Sequence, residues 1–312
     1  MHVIVRSMPA ATEEVRLMPD GHTAQLKVAP GGGGSRPSCA KPFLKWAGGK
    51  QRLLGQFEAF FPAVFSRYLE PFVGGAAVFF HLANAGRLPR QVLLVDHNEE
   101  LINTYRAVRD RLSELMDILA VHQERHGPDY YYHVRSLDRQ GAGLGDVERA
   151  ARTIYLNRTC YNGLYRVNSR GHFNVPLGSY KNPTILDRET LLAASRSLRN
   201  VKLEVRDFRT LVELGQRGDY LYFDPPYHPL SKTASFTGYT AGNFREGDQR
   251  DLAEVFARLS EKGCLCMLSN SYTPLILELY RGFRVETVAA SRAINSDGNG
   301  RGTVQEVVVL NY

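Results

Sequence analysis

An apolar run that ends in an acid and leads straight into a helical pattern constrains this chain more than any other feature. In QVLLVDHN (91–98) the residues at 92–95 are all apolar and Asp96 follows them. A strand without polar alternation has no solvent face, so it belongs inside a sheet covered on both sides. The segment 98–119, NEELINTYRAVRDRLSELMDIL, then spaces Leu101, Tyr105, Val108, Leu112, Leu115 and Leu119 as a helix does. The alternation recurs. Residues 68–72 read as a strand, Gly74 and Gly75 as a turn, and AAVFFHLANAG as a helix stopping at Gly86. Further on, KLEVRD (202–207), the run before Asp224, CLCMLSN (264–270) and stretches near 283–289 and 304–310 read as strands, with a helix over 246–261. Alternation at both ends predicts an α/β fold with a mostly parallel sheet and helices on both faces. Between them, helical pattern at 129–139 and 146–157 and a polar, glycine-rich stretch at 158–184 predict a mainly helical insertion. The expected division is 41–104 with 200–312 for the sheet domain and 105–199 for the insertion. Residues 1–40 stand apart, because PGGGGSRPS is a flexible linker by composition. They read as a disordered N-terminal extension, a misassigned start or non-native sequence.

Composition narrows the class. A chain of 312 residues that is 43% hydrophobic can bury a substantial core. No apolar stretch reaches the roughly 18–20 residues of a membrane-spanning helix, and no signal-peptide pattern opens the chain. A cytoplasmic location without a membrane partner is therefore expected. Cys39, Cys160, Cys264 and Cys266 are too scattered for a disulfide framework or a zinc site, and the last two read as small core residues on one strand face. His122 and His126 lie at i and i+4 but have no third ligand, so they read as a solvated helix face and no metal is expected. The net charge of +7 is compatible with nucleic acid. The excess is concentrated: from Arg158 to Lys202 there are eight Lys/Arg and two acids.

The stretch LYFDPPYHPL (221–230) drives an aromatic strand into a stiff corner. Pro225 and Pro226 have no N–H to give and end the strand, and Pro225 holds Asp224 extended. One carboxylate, unpaired carbonyls and the Tyr227 ring then stand together, which suits a ligand offering N–H groups and a flat face. The ends of two other predicted strands face the same way. In EPFVGG (70–75) the glycines permit close backbone approach, and Asp96 lies 21 residues past Gly75, about the spacing at which an acid meets a ribose. The G-x-G-x-x-G fingerprint is absent, so a ligand with a ribose and no phosphates fits better; S-adenosylmethionine is one. A tight strand–helix turn accounts equally well for the glycine pair alone. KWAGGK (45–50) carries the only tryptophan beside a glycine turn between lysines. It reads either as a core residue with a turn behind it or as a basic loop meeting a nucleoside or DNA.

FLKWAGGK, YLEPFVGGAAVFF, LVDHNEELINTY, LNRTCYNGLYRVNSRGHFNVPLGSYKNP and YFDPPYHPLS, in this order, resemble the Dam-type (D12 class) DNA adenine N6-methyltransferases from about Phe43 to Tyr312. The resemblance implies a Rossmann-like S-adenosylmethionine-dependent sheet with the insertion as target-recognition domain. It implies that Asp224 and the Pro225 carbonyl accept the hydrogens of a flipped-out adenine amino group, within the corner completed by Pro226, while Tyr227 stacks on the base. Cofactor contacts carry over to Trp46, Lys50, Phe72, Gly74, Asp96 and Asp224. Asp207 and Phe208 match a position that holds the cofactor's adenine in several members, although Asp207 also reads as a helix cap. Tyr161, Asn162, Leu164, Arg166 and Pro176 match residues that contact or intercalate at the target, Arg158 and Asn168 match phosphate contacts, and Lys45 matches a reader of the outer guanine. Together they imply double-stranded DNA and the site GATC, with a restriction endonuclease of the same site as a partner class. Ser179 departs from the family, GRYK having become GSYK. Two alternatives stand beside this reading: the same chemistry on cytosine N4, RNA or protein, and a DNA-binding regulator without activity. The segment SKTASFTGYTAGNF (231–244), directly after the corner, reads as a mobile lid.

Overall fold

The computed structural model describes residues 38–139, 143–230, 244–291 and 303–312. Most of the expected N-terminal extension and all of the expected lid except Phe244 lie outside them. Seven strands form one sheet: β1 (Tyr68–Pro71), β2 (Val92–Asp96), β3 (Val201–Val205), β4 (Tyr220–Phe223), β5 (Leu265–Ser271), β6 (Arg284–Ser291) and β7 (Thr303–Leu310), in the order β3-β2-β1-β4-β5-β7-β6. The first five are parallel, and β7 enters antiparallel between β5 and β6. This is the expected α/β, Rossmann-like sheet. Successive strands step outward from β1 on one side and from β4 on the other, so the crevice that binds ligands in such folds opens where these two meet.

β4 shows why its sequence has no polar residue. Tyr220 and Tyr222 enter the core on one face of the sheet and Leu221 and Phe223 the core on the other. The first core is closed by α1 (Leu54–Phe57), α2 (Ala77–Asn84) and α3 (Glu99–Asp110), the second chiefly by α9 (Glu246–Glu261), with α8 (Leu211–Leu214) and α10 (Pro274–Leu279) beside it. Cys264 and Cys266 are buried and unpaired, as core residues.

The helical pattern over 98–119 is not one helix. It breaks at Arg111 (φ −131°, ψ 35°) into α3 and α4 (Leu112–Glu124). Arg106 and Arg109 donate to the carbonyls of Leu203 (2.9 Å) and Val201 (2.6 Å), which ties α3 to the edge strand β3. The break frees α4 to leave the sheet and pack on α6 (Asp146–Thr159) and α7 (Arg188–Leu198). No proline or glycine marks it, because tertiary contacts impose it. The expected solvated histidine face is also corrected. His122 is buried and stacks on Tyr155 at 4.9 Å, with Nδ1 2.8 Å from the Tyr130 hydroxyl; His126 Nδ1 lies 3.0 Å from the Tyr155 hydroxyl. Burial pushes the His122 pKa down to about 4, so its ring is neutral. Among the described residues no group of three His, Cys, Asp or Glu could hold a metal, and no helix is long and apolar enough to cross a membrane.

The polar stretch after α6 is strapped down rather than regular. Tyr131 of α5 (Pro128–Ser136) donates to the Val175 carbonyl (2.8 Å), Arg139 to that of Phe173 (2.5 Å), and Phe173 N–H to Asp138 (2.8 Å). Asp138 is paired in turn with the buried Arg152 at 2.8 Å.

Candidate active site

β4 delivers Asp224 at its carboxyl end, and the side chain that meets it comes from far away in sequence. Lys50 Nζ lies 2.7 Å from Asp224 Oδ1, donates to the Gly48 carbonyl, and stands 4.6 Å from the centroid of the Tyr227 ring. Lys50 is almost fully buried, so its ammonium has exchanged water for one carboxylate, one carbonyl and one aromatic face. Burial pushes the Asp224 pKa up, and Lys50 opposes that shift. The Tyr227 hydroxyl donates to Glu306 of β7 at 2.8 Å.

The corner rests on buried amides. Gln249 of α9 donates to the Pro226 carbonyl (2.9 Å) and accepts from Asn270 of β5 (3.0 Å). Asn270 Oδ1 accepts from the backbone of His228 (3.1 Å) and Ser271 (2.9 Å), and Ser271 Oγ donates to the His228 carbonyl. The Pro226 carbonyl is thereby occupied, whereas the Pro225 carbonyl receives no hydrogen bond from the described residues. Gln249, Asn270 and Glu306 escaped the sequence reading, since an isolated polar residue in a helix or strand pattern looks like any solvent-facing one.

Beside the corner, the end of β1 turns sharply. Phe72, Gly74 and Ala76 all have positive φ, and a Cβ on Gly74 would lie 2.8 Å from Trp46 Cδ1. Glycine is required there by both backbone and space. Gly74 N–H points at Asp96 Oδ2 (3.3 Å), Asn98 N–H at Asp96 Oδ1 (3.0 Å), and Tyr105 donates to the Gly74 carbonyl (2.9 Å). Desolvation pushes the Asp96 pKa up. The rings of Phe72, Phe208 and Phe244 meet one another at 5.2 to 5.6 Å. Phe244 entered the sequence reading only as the last residue of the expected lid and not as part of an aromatic cluster. Asp207 accepts from Arg209 N–H (2.8 Å) and pairs with its guanidinium, so the carboxylate caps the following turn.

Glu70, on β1, is a buried acid that sequence pattern alone left unremarked. Its Oε2 accepts from the Tyr68 hydroxyl (2.8 Å) and from Phe79 N–H (3.1 Å). Burial pushes its pKa from 4.5 up to about 8. A carboxyl with a raised folded-state pKa contributes stability that is complete below the unfolded value and lost as pH climbs through the folded one. Glu70→Gln keeps an acceptor for both donors, so it should flatten the decline in melting temperature between pH 4.5 and about 8. An unchanged decline would assign it to other groups.

Of the expected recognition residues, Tyr161, Asn162, Leu164, Arg166, Asn168 and Pro176 lie on the loop after α6, Arg158 lies in its last turn, and Lys45 lies upstream of β1. Tyr161 is exposed, Asn162 has φ 54°, Leu164 is half-buried, and the exposed Pro176 accepts from Tyr161 N–H (2.9 Å). Asn168 Oδ1 closes a turn by accepting from Arg170 and His172 N–H, each at 3.0 Å. Arg166 Nε donates to Asn174 Oδ1 (2.7 Å). Lys45 Nζ stands 4.2 Å from the Tyr180 centroid. Arg158 points inward, donating to the Phe43 carbonyl at 2.8 Å, and desolvation lowers its pKa. The loop meets the site through Trp46, which stacks on Tyr165 at 5.5 Å.

Comparison with known proteins gives the family of the chain. A family described as D12 class N6 adenine-specific DNA methyltransferase matches residues 46–294. The chain is 44% identical over 276 residues to Type II methyltransferase M1.LlaDCHI of Lactococcus lactis subsp. cremoris, covering 87% of this chain and 95% of that one. It is 42% identical over 287 residues to Type II methyltransferase M.MjaIII of Methanocaldococcus jannaschii, covering 87% and 99%. It is 34% identical over 273 residues to the DNA adenine methylase of Escherichia coli (strain K12), covering 86% and 95%. A family match across most of the chain, with relatives matched over almost their full length, makes this protein a member of the D12 class of N6 adenine-specific DNA methyltransferases.

Proposed function

We propose that the protein transfers a methyl group from S-adenosylmethionine to N6 of an adenine flipped out of duplex DNA, with GATC as its site. The observation that carries this reading is the position of Lys50. Its ammonium is a tetrahedral, cationic, N–H-donating nitrogen held 2.7 Å from Asp224 and over the Tyr227 ring. An adenine amino group that attacks a sulfonium methyl becomes tetrahedral and cationic too as the S–CH3 bond breaks, until it gives up a proton, so the corner already stabilises a nitrogen of that kind. Asp224 and the Pro225 carbonyl accept the two N6 hydrogens, keeping the lone pair out of the ring and opposing the developing charge. Tyr227, anchored at its hydroxyl by Glu306, offers its face to the base. Lys50 must yield that face, and the Asp224 oxygen it holds, when the base enters.

S-adenosylmethionine, when bound, supplies an electrophilic methyl carried on a sulfonium. The residues present fit it: Phe72, Phe208 and Phe244 offer an aromatic surface for its adenine, Asp96 an acceptor for ribose hydroxyls, and Trp46, packed against Gly74, a flat wall. Residues 41–104 and 200–312 act as the catalytic part and 105–199 as the recognition part, with Lys45, Tyr161, Asn162, Leu164, Arg166, Asn168 and Pro176 toward the DNA and Arg158 beneath them, held on the Phe43 carbonyl. The Type II names of two relatives support a restriction endonuclease of the same site as a functional partner, in the cytoplasm with the DNA.

Arg166→Ala is expected to relax discrimination at one guanine–cytosine pair by about 1–3 kcal/mol. Comparing kcat/KM on duplexes changed at single positions reads this; an equal loss on every duplex would make Arg166 a phosphate contact. The function itself is tested with methyl-labelled S-adenosylmethionine and two duplexes, one with GATC and one with its central adenine–thymine pairs exchanged for guanine–cytosine. Label recovered as N6-methyladenine from the first alone is the expected result. Label only from mixed genomic DNA moves the site and points to Ser179. No transfer to any DNA overturns the reading in favour of another amino acceptor.

A further inference from the structure

We propose that Asn157 is a positioning residue that locks the loop carrying Lys45, Trp46 and Lys50 to the loop 161–166, so that the groups facing DNA and those facing the cofactor shift as one unit. The inference rests on the proposed function for its meaning, and on geometry for its substance. Asn157 lies in the last turns of α6 and is buried. Its Oδ1 accepts from Lys45 N–H at 2.8 Å, and its Nδ2 donates to the carbonyls of Lys45 (2.7 Å) and Gly163 (2.9 Å). The carboxamide thus pairs with Lys45 as a neighbouring strand would, and uses its remaining donor on the second loop.

Four further contacts make this a clamp rather than a stray buried amide. Gly163 has φ 65°, and a Cβ there would fall 2.6 Å from Lys45 Cδ and 2.7 Å from Lys45 Cβ, so the loops touch without a gap. Trp46 stacks on Tyr165 with 26° between the ring planes. The chain then runs from Trp46, packed on Gly74, to Lys50, paired with Asp224. A displacement of the 161–166 loop by DNA is therefore carried through Asn157 to the residues beside the catalytic corner. A wrong sequence that leaves the loop misplaced also leaves that corner misplaced.

Trp46 is the only tryptophan of the chain, so its fluorescence reports the clamp without any need for activity. In the full chain, Asn157→Ala should increase acrylamide quenching of Trp46 and shift its emission to the red. It should also lower the kcat/KM ratio between GATC and a duplex changed at the outer guanine by about tenfold. Asn157→Asp keeps the shape but sets a carboxylate against two carbonyl oxygens, so it should act alike if the alanine variant folds poorly. Wild-type quenching in both variants would overturn the clamp. A loss of activity equal on all duplexes, with the ratio kept, would reduce Asn157 to a packing role and overturn it as well. If the wild-type protein methylates no duplex, the functional reading fails, and the quenching comparison still decides the clamp.

Discussion

Asp224→Ala is expected to abolish methyl transfer, by about a thousandfold or more, while duplex binding stays close to wild type. The lower bound follows from the cost of removing a single group that stabilises developing charge, about 10²–10³ in rate. Here the loss is expected to go further, because the role proposed for Asp224 at the reacting nitrogen adds to its neutralising the buried ammonium of Lys50. Without its partner that ammonium must swing out to water, so the corner loses shape as well as charge. Stability should fall as well, because removing one partner of a buried pair leaves the other charge uncompensated. Burial already disfavours the Asp224 carboxylate, and its removal relieves that penalty while forfeiting the pair. Single-turnover methylation, a mobility-shift assay and a melting curve on the same preparation separate these three outcomes. Activity within tenfold of wild type would mean that the reaction takes place elsewhere.

The second large effect is expected from a residue that touches no substrate. Asn270→Ala should lower kcat about a hundredfold with little change in KM for duplex, since misplacement of reacting groups by about 1 Å costs that much. Asn270 holds the backbone of His228 through Oδ1 and orients Gln249, which in turn holds the Pro226 carbonyl. Truncation leaves two backbone donors and one amide oxygen without partners in the core, at roughly 2–4 kcal/mol of stability. Asn270→Asp keeps the acceptor toward His228 and Ser271 and loses only the donor to Gln249, so its kcat should fall less. A rise in KM with unchanged kcat in the alanine variant would show that the network supports binding and not the geometry of the corner.

Strand ends carried most of what could be read in advance. A fully apolar run needs a covered sheet wherever it occurs, prolines end a strand in any context, and a glycine at positive φ marks a close approach; these are local properties of the chain. They sufficed for the α/β class, the order of strands and helices, and the corner at 224–227. The break at Arg111 and the burial of His122 were not legible, because residues distant in sequence decide them: β3 holds one helix, and Tyr155 covers the imidazole. The same holds inside the site. That Lys50 reaches Asp224, that Glu306 anchors Tyr227, that Gln249 and Asn270 support the prolines, and that Asn157 joins Lys45 to Gly163 are pairings across 174, 79, 23, 21, 112 and 6 positions. The sequence alone determined which groups end at the crevice, since strand and turn chemistry act between neighbours. Only the tertiary structure decided which of them meet, because a buried polar group takes whatever partner the packed chain sets within about 3 Å of it.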